Sequence, residues 1–326
     1  MHPDDWHVTH ELDEFLARTG GFLRSRPGPH TLQLTVTETL RTRGMNAFGD
    51  GTPVFGWLDR AGGVVASFFR TPPRHLSVTP LSSGDADALA ARLSALSHPL
   101  PGVNADHATA TAFAEAWQRY TGAAPDLAER HRLYRLDTLT PPTPVPEGRA
   151  RVADERDRAQ LIAWHDEFAL ATHTIPSGAA GWADERIAGE RVTFWETPDG
   201  APVSMAGLSP VVAGQARLAP VYTPAHLRGR GYGGAATVAA SRAATARGAT
   251  DLVLFADLAN PTSNGLYRRI GYRPVTDFFL YHFSPAGPPA TWNPGPEGAE
   301  PAPSGRAGGG GGGLASYRTV SRAGRG

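Results

Sequence analysis

The sequence has no cysteine among its 326 residues. Disulfides, thiolate-bound metals and cysteine nucleophiles are therefore excluded. It also has no lysine: all 31 basic residues are arginine, and 31 acidic residues balance them to a formal net charge of +0. Without a basic excess nothing drives counterion release from a polyanion, which argues against a nucleic-acid binder. No stretch approaches the roughly 18 consecutive apolar residues of a membrane helix. The acidic start, Asp4-Asp5-Trp6, is followed by no apolar run of the secretory kind. None of the twelve histidines falls at His-x-x-x-His or His-Glu-x-x-His spacing, so no metal is expected. What is abundant is arginine, alanine, glycine and proline, the composition of a GC-rich bacterial genome. A cytoplasmic protein with neither a nucleic-acid nor a membrane partner is expected.

Two segments punctuate the chain. Leu139 to Gly148 holds four prolines and reads as an extended linker. Beyond Ser284 the sequence turns to Pro and Gly and includes the run Gly308 to Gly313. That composition cannot bury enough apolar surface to offset backbone ordering, so residues 285–326 are expected to be disordered. The remainder divides into residues 1–140 and 149–284.

In the second part, Leu161, Trp164, Phe168 and Ala171 recur at helical spacing within 154–171. A second helix is predicted within 179–190, and strands over 191–195, 202–208 and 216–222. Pro198-Asp199-Gly200 supplies a hairpin turn between the first two strands. A helix over 231–247 should stop at Gly248. A strand (252–256), a short helix (263–270) and a strand (273–283) complete an α-α-β-β-β-α-β-α-β order. This predicts an α+β fold with a mixed, mostly antiparallel sheet flanked by helices. The first part is predicted as helix 8–24, strands 30–37, 54–58, 64–69 and 76–80, helices 85–96 and 108–120, and strand 131–136. Trp117-Gln-Arg-Tyr-Thr-Gly122 echoes Tyr267-Arg-Arg-Ile-Gly271, and Leu133-Tyr-Arg-Leu136 echoes Leu280-Tyr-His-Phe283. The first part is therefore read as a degenerate copy of the second.

The chemistry is carried by Val221-Tyr222-Thr223-Pro-Ala-His226-Leu-Arg228-Gly229-Arg230-Gly231-Tyr232-Gly233-Gly234. A strand enters a glycine-rich turn that opens a helix, an arrangement suited to a pyrophosphate. Glycine lets the backbone approach and adopt unusual dihedrals. Unpaired N–H groups and the helix dipole favour an anion, and Arg228 and Arg230 can add charge-assisted bonds. A Walker loop is excluded by the missing lysine. After the next predicted strand comes Asn260-Pro-Thr-Ser263-Asn-Gly-Leu-Tyr267-Arg-Arg-Ile-Gly271-Tyr272.

Together these resemble two motifs of the GNAT superfamily of N-acetyltransferases. Arg228-x-x-Gly231-x-Gly233 is similar to its Arg/Gln-x-x-Gly-x-Gly/Ala turn. Asn260-x-x-Ser263-x-x-x-Tyr267-x-x-x-Gly271-Tyr272 is similar to its Asn…Tyr…Gly-Phe/Tyr element. The resemblance covers 149–284 and implies tandem GNAT folds of which the second is active. It implies that the backbone of Val221 to Thr223 holds a pantetheine arm, and that residues Arg228, Gly229, Arg230, Gly231, Tyr232, Gly233 and Gly234 hold the pyrophosphate of acetyl-CoA. The resemblance implies Asn260 and Tyr267 as the catalytic residues: Asn260, with Ser263, would contact the cofactor arm, and Tyr267 would lie beside the thioester sulfur as proton donor. The acceptor would be an amine on a small molecule or peptide, acylated by direct attack. The family's strand carboxylate is missing, since Gln215 to Thr223 holds no Asp or Glu. His165, Asp166, Glu167, His173 and His226 remain as bases, beside a water chain. The matching turn in the first part, Thr79 to Asp85, lacks the Arg-x-x-Gly-x-Gly pattern and its arginines, so that part should not bind CoA. A mycothiol-type or other small-molecule acyltransferase and a non-catalytic acyl-CoA-binding regulator stand as alternatives. The protein is expected to be a monomer or a homodimer.

Overall fold

The structure, a computed structural model, describes residues 5–60, 62–172 and 178–285. The tail from 286 onward and His173 lie outside the described residues.

The first half of the chain runs β1 (Trp6–Thr9), α1 (Leu12–Ser25), α2 (Thr31–Arg43), β2 (Val54–Arg60), β3 (Gly63–Arg70), β4 (Leu76–Val78), α3 (Ser83–Ala95), β5 (Gly102–Asp106), α4 (His107–Thr121) and β6 (Ala124–Leu136). The second half repeats that order: β7 (Arg149–Val152), α5 (Arg158–Ala171), α6 (Ala179–Ala188), β8 (Val192–Glu196), β9 (Pro202–Leu208), β10 (Gln215–Tyr222), α7 (Tyr232–Ala246), β11 (Asp251–Asp257), α8 (Pro261–Arg269) and β12 (Tyr272–Ser284).

All twelve strands join one sheet in the order β1-β2-β3-β4-β5-β12-β6-β11-β10-β9-β8-β7. Neighbours are antiparallel except at β4–β5 and β10–β11, which are parallel. Each half gives its last strand to the other. β12 lies against β5 of the first half, and β6 lies against β11 of the second. The two exchanged strands pair with each other over most of their length, from Tyr272↔Leu136 to Ser284↔Ala124. A second-half sheet without β6 would expose the edge of β11, where Val253 and Leu254 are buried.

The second-half predictions agree with these elements to within a few residues at their ends. Gly248, with φ of 88°, ends α7 as expected. The first half departs further. Residues 30–37, predicted as a strand, belong to helix α2. The run Thr31-Leu-Gln-Leu-Thr-Val-Thr alternates and is rich in β-branched residues. As a helix its threonines bond backward instead. Thr35 donates to the Thr31 carbonyl at 2.7 Å, Thr37 to Gln33 at 2.7 Å and Thr39 to Thr35 at 2.8 Å. Tertiary packing overrides the local preference, because Leu32 of α2 covers Leu133, Val253 and Phe278 on the central strands. Strands β1, β5 and β7 are additions to the predicted set.

Helix α7 lies on β8, β9 and β10. It buries small side chains, including Ala235, Ala236, Ala240 and Ala244. Small residues let its axis sit close to the sheet, and this fixes its first turn beside the end of β10.

Candidate functional site

β10 and β11 pair in parallel from Gln215↔Asp251 to Leu218↔Leu254 and no further. Both strands continue beyond that point, each with its other neighbour. β10 stays on β9 through Val221↔Ala206 and Tyr222↔Met205, after a bulge between Leu218 and Val221. β11 stays on β6 through Asp257↔His131. The two strands therefore part, leaving backbone groups of residues 219–223 facing a seam. Gly207 makes the bulge possible: a Cβ there would lie 2.7 Å from the Ala219 carbonyl oxygen.

The glycine turn follows at the open end of the seam. Residues 225–227 form one 3-10 turn. Gly229 and Gly231 take φ of 79° and 83°, in the left-handed region where glycine carries no steric cost. The Arg228 Nε donates to the Thr223 carbonyl at 3.0 Å and closes the turn. The Thr223 N–H has no partner among the described residues. Arg228 and Arg230 are exposed.

Helix α7 then begins at Tyr232 with no side-chain cap and no acidic residue in its first turn. Its first internal bond runs from Ala235 N–H to the Gly231 carbonyl. The N–H groups of Tyr232, Gly233 and Gly234 thus have no helical acceptor, and they point out of the helix start. Gly233 and Gly234 are small because of close neighbours. A Cβ on Gly233 would sit 3.2 Å from Thr223 Oγ1, and one on Gly234 would sit 2.9 Å from Leu266 Cδ1 of α8.

The corresponding helix of the first half behaves oppositely. The Ser82 hydroxyl caps α3 by accepting from Asp85 N–H. The Asp85 carboxylate sits at that helix start, bonded by Ser82 Oγ at 2.6 Å and paired with Arg60. An internal anion fills the helix start that α7 leaves uncapped.

Tyr267, on α8, is 7% exposed. Its ring packs 6.3 Å from Tyr134 and 6.2 Å from Tyr272, and it shares a cluster with Val221 and Tyr232. Its hydroxyl makes no hydrogen bond among the described residues, and burial pushes its pKa up to about 12. Asn260 also has a task within the fold. Its Oδ1 accepts from Ser263 N–H at 3.0 Å and so caps α8. Ser263 is placed by this bond in the first turn of α8.

The motif did not reveal Asn264, the residue that locks α8 in place. It is buried and fully bonded. It accepts from the Tyr134 hydroxyl at 2.8 Å and donates to the carbonyls of Asp257 and Asn260, each at 2.7 Å. Tyr134 comes from β6, so the first half supplies part of the second half's site. The signal was a polar side chain three residues before Tyr267, on the same helical face.

Of the base candidates, one reaches β10. The Tyr222 hydroxyl donates to Glu167 Oε2 at 2.5 Å. Burial, then this bond, pushes the Tyr222 pKa up to about 12. The Tyr222 ring also packs on Trp164, so its side chain faces α5 and only its backbone is free to face the seam. Glu167 is exposed, and its Oε1 has no partner among the described residues. His165 instead lies against Trp182 at 4.7 Å, beside Asp166 at 3.7 Å. His226 is exposed on the 3-10 turn. Among the described residues no three His, Asp or Glu side chains gather as metal ligands. Nor is any described helix long and apolar enough to cross a membrane.

Residues 152–272 match the family described as the acetyltransferase (GNAT) family. That stretch runs from the end of β7 to the start of β12 and contains the seam, the turn and α8. Solved structures match more of the chain. A GCN5-related N-acetyltransferase from Sphaerobacter thermophilus is 18% identical with a TM-score of 0.56, over 86% of this chain and 96% of that one. A GNAT-family acetyltransferase from Colwellia psychrerythraea is 10% identical with a TM-score of 0.53, over 86% and 99%. A tandem GNAT protein from the clavulanic acid biosynthesis pathway is 13% identical with a TM-score of 0.51, over 87% and 99%. At these identities the likeness is one of fold. No curated protein matches the chain.

Proposed function

We propose, from the premise that residues 152–272 form a domain of the acetyltransferase (GNAT) family, that this protein transfers an acetyl group from acetyl-CoA to an amine. The observation that carries the reading is the start of α7. It is uncapped and free of acid, it stands behind two positive-φ glycines, and it opens where β10 and β11 part. The N–H groups of Tyr232 to Gly234 would hold the pyrophosphate, with Arg228 and Arg230 beside it. The backbone of residues 219–223 would bind the pantetheine arm as an added strand binds a sheet edge. The thioester would then lie between β10 and Tyr267. A backbone N–H at Val221 would meet the developing oxyanion, and the Tyr267 hydroxyl would meet the departing sulfur. The capped, acid-bearing start of α3 supports one donor site per chain rather than two. The acceptor is a small-molecule or peptide amine, and an acyl-CoA donor fits a cytoplasmic enzyme.

The test is calorimetric titration of acetyl-CoA and of CoA into the full chain, followed by thiol release with a panel of amines. Saturable binding with micromolar Kd, and amine-dependent thiol release, are expected. A folded protein that binds neither nucleotide refutes the reading. Binding without turnover on any amine would point to an acyl-CoA-responsive regulator instead.

Glu167 is the proton acceptor in this scheme. It replaces the missing strand carboxylate from the neighbouring helix: Tyr222 anchors Oε2 and leaves Oε1 for the amine. Glu167→Gln is expected to lower kcat by about 10²-fold and to leave the acetyl-CoA Kd unchanged. Unchanged kcat would assign the proton to water.

A further inference from the structure

Near the β9–β10 hairpin, remote in sequence from the glycine turn, positive charge is buried with too little negative charge to match it. Gln215 and Arg217 lie two apart on β10 and so share a face of the sheet. Gln215 is 0% exposed, and neither its Oε1 nor its Nε2 has a partner. Arg217 has a buried, unpartnered Nη1. From α6, Arg186 gives one N–H to the Leu208 carbonyl, while its Nε makes no hydrogen bond. Arg191, just before β8, donates from Nη2 to Glu185, and its Nε too is buried without a partner. Arg43, at the end of α2, adds a fourth guanidinium from the first half. Its Nη2 would be 3.6 Å from a Cβ on Gly181 of α6.

Glu185 is the carboxylate shared among these groups, at 3.6 Å from Arg186 Nε and bonded to Arg191. Asp251, beside Gln215 across the parallel register, is already paired with Arg135 at 2.8 Å. Burial lowers the pKa of both Arg186 and Arg217 to about 10; at Arg186 the Glu185 charge opposes the effect, and the charges of Arg191, Arg217 and Arg43 add to it. Buried charges without counter-charges are costly, and unpaired buried polar atoms are rare. Here five such atoms fall on four neighbouring residues.

We propose that Gln215, Arg217, Arg186 and Arg191, with Arg43 on the exposed side, form a binding site for hydrogenphosphate. Guanidinium forks match an oxyanion by paired N–H···O bonds. Gln215 narrows the choice further. Its Nε2 needs an acceptor and its Oε1 needs a donor. Hydrogenphosphate offers both, through its charged oxygens and its P–OH, whereas sulfate and chloride offer acceptors alone. The ion would tie α2 of the first half to α6 and β10 of the second.

The test is thermal unfolding and calorimetry of the full chain in a buffer free of oxyanions, with phosphate, sulfate and chloride added at matched ionic strength. Phosphate at ten times its Kd should raise Tm by about 3 °C, sulfate by less, and chloride not at all. Phosphate can also settle at the start of α7, so the titration is repeated on Gly231→Glu, where the response should persist. Arg217→Met should abolish it. Arg43→Gln, at an exposed position that does not endanger the fold, should raise the phosphate Kd several-fold. Equal responses to the three anions overturn the proposal, as does a response lost in Gly231→Glu or a phosphate Kd unchanged in Arg43→Gln.

Discussion

Tyr267→Phe is expected to lower kcat for acetyl transfer by about 10²–10³-fold, the usual loss when one aimed donor is removed from a transition state. The acetyl-CoA Kd should stay within about twofold, because the variant keeps the ring that packs on Tyr134 and Tyr272. The size of the effect comes from the hydroxyl's surroundings. It has no protein partner among the described residues, and burial holds its pKa at about 12. It therefore keeps its proton throughout the neutral range. Transfer from such a group to an ordinary thiolate of pKa about 8.5 is uphill by roughly 3.5 units. The hydroxyl thus acts as a hydrogen-bond donor to charge growing on sulfur, and the proton lost by the amine balances the reaction. The same shift carries a stability consequence. The folded pKa is raised, so the stability contributed by neutral Tyr267 is full below pH 10 and is lost as pH rises from 10 to 12. Steady-state kinetics beside a donor titration decide the matter: a Tyr267→Phe enzyme within threefold of wild-type kcat would leave Tyr267 a packing residue.

The second half was legible because its local and tertiary signals agree. Pro198-Asp-Gly200 turns where a hairpin must, and Gly248 stops a helix whose small residues face the sheet. Helix α2 reads as a strand in the sequence because its alternating threonines carry a strand's pattern, while the Leu32 contact that settles the matter is made with strands about a hundred residues and more away in sequence. The strand exchange was illegible for the same reason. Leu133-Tyr134 and Leu280-Tyr281 look alike as strand residues, and nothing local says that each pairs in the other half. At the site, the turn glycines could be read from their dihedral requirement, and Tyr267 from its motif. Asn260 could be read less sharply: an asparagine before a helix suits a cap as well as a ligand, and its Oδ1 caps α8. Glu167 was one of several acidic or imidazole side chains. Only the fold, by laying α5 on β10, brings it to Tyr222.

Gly231→Glu is expected to weaken acetyl-CoA binding by at least about 100-fold, or about 2.7 kcal/mol, with the fold retained. Two effects act in the same direction. A side chain at φ of 83° strains the turn, at a cost of about 1–2 kcal/mol. Space is not the obstacle, since the nearest atom to a Cβ there is Pro146 Cγ at 3.6 Å. The second effect is electrostatic. A carboxylate at this position can turn onto the N–H groups of Tyr232 to Gly234 and cap the helix, as Ser82 and Asp85 already do for α3. It would stabilise α7 while taking the donors that a pyrophosphate needs and repelling its charge. Gly231→Ala separates the two contributions, for it carries the strain without the charge. Alanine should cost stability by about 1–2 kcal/mol yet weaken binding by less than about tenfold, and glutamate should do the reverse. Equal binding losses in the two variants would assign the site's affinity to the shape of the turn. Wild-type binding by Gly231→Glu would remove the pyrophosphate from the start of α7 altogether.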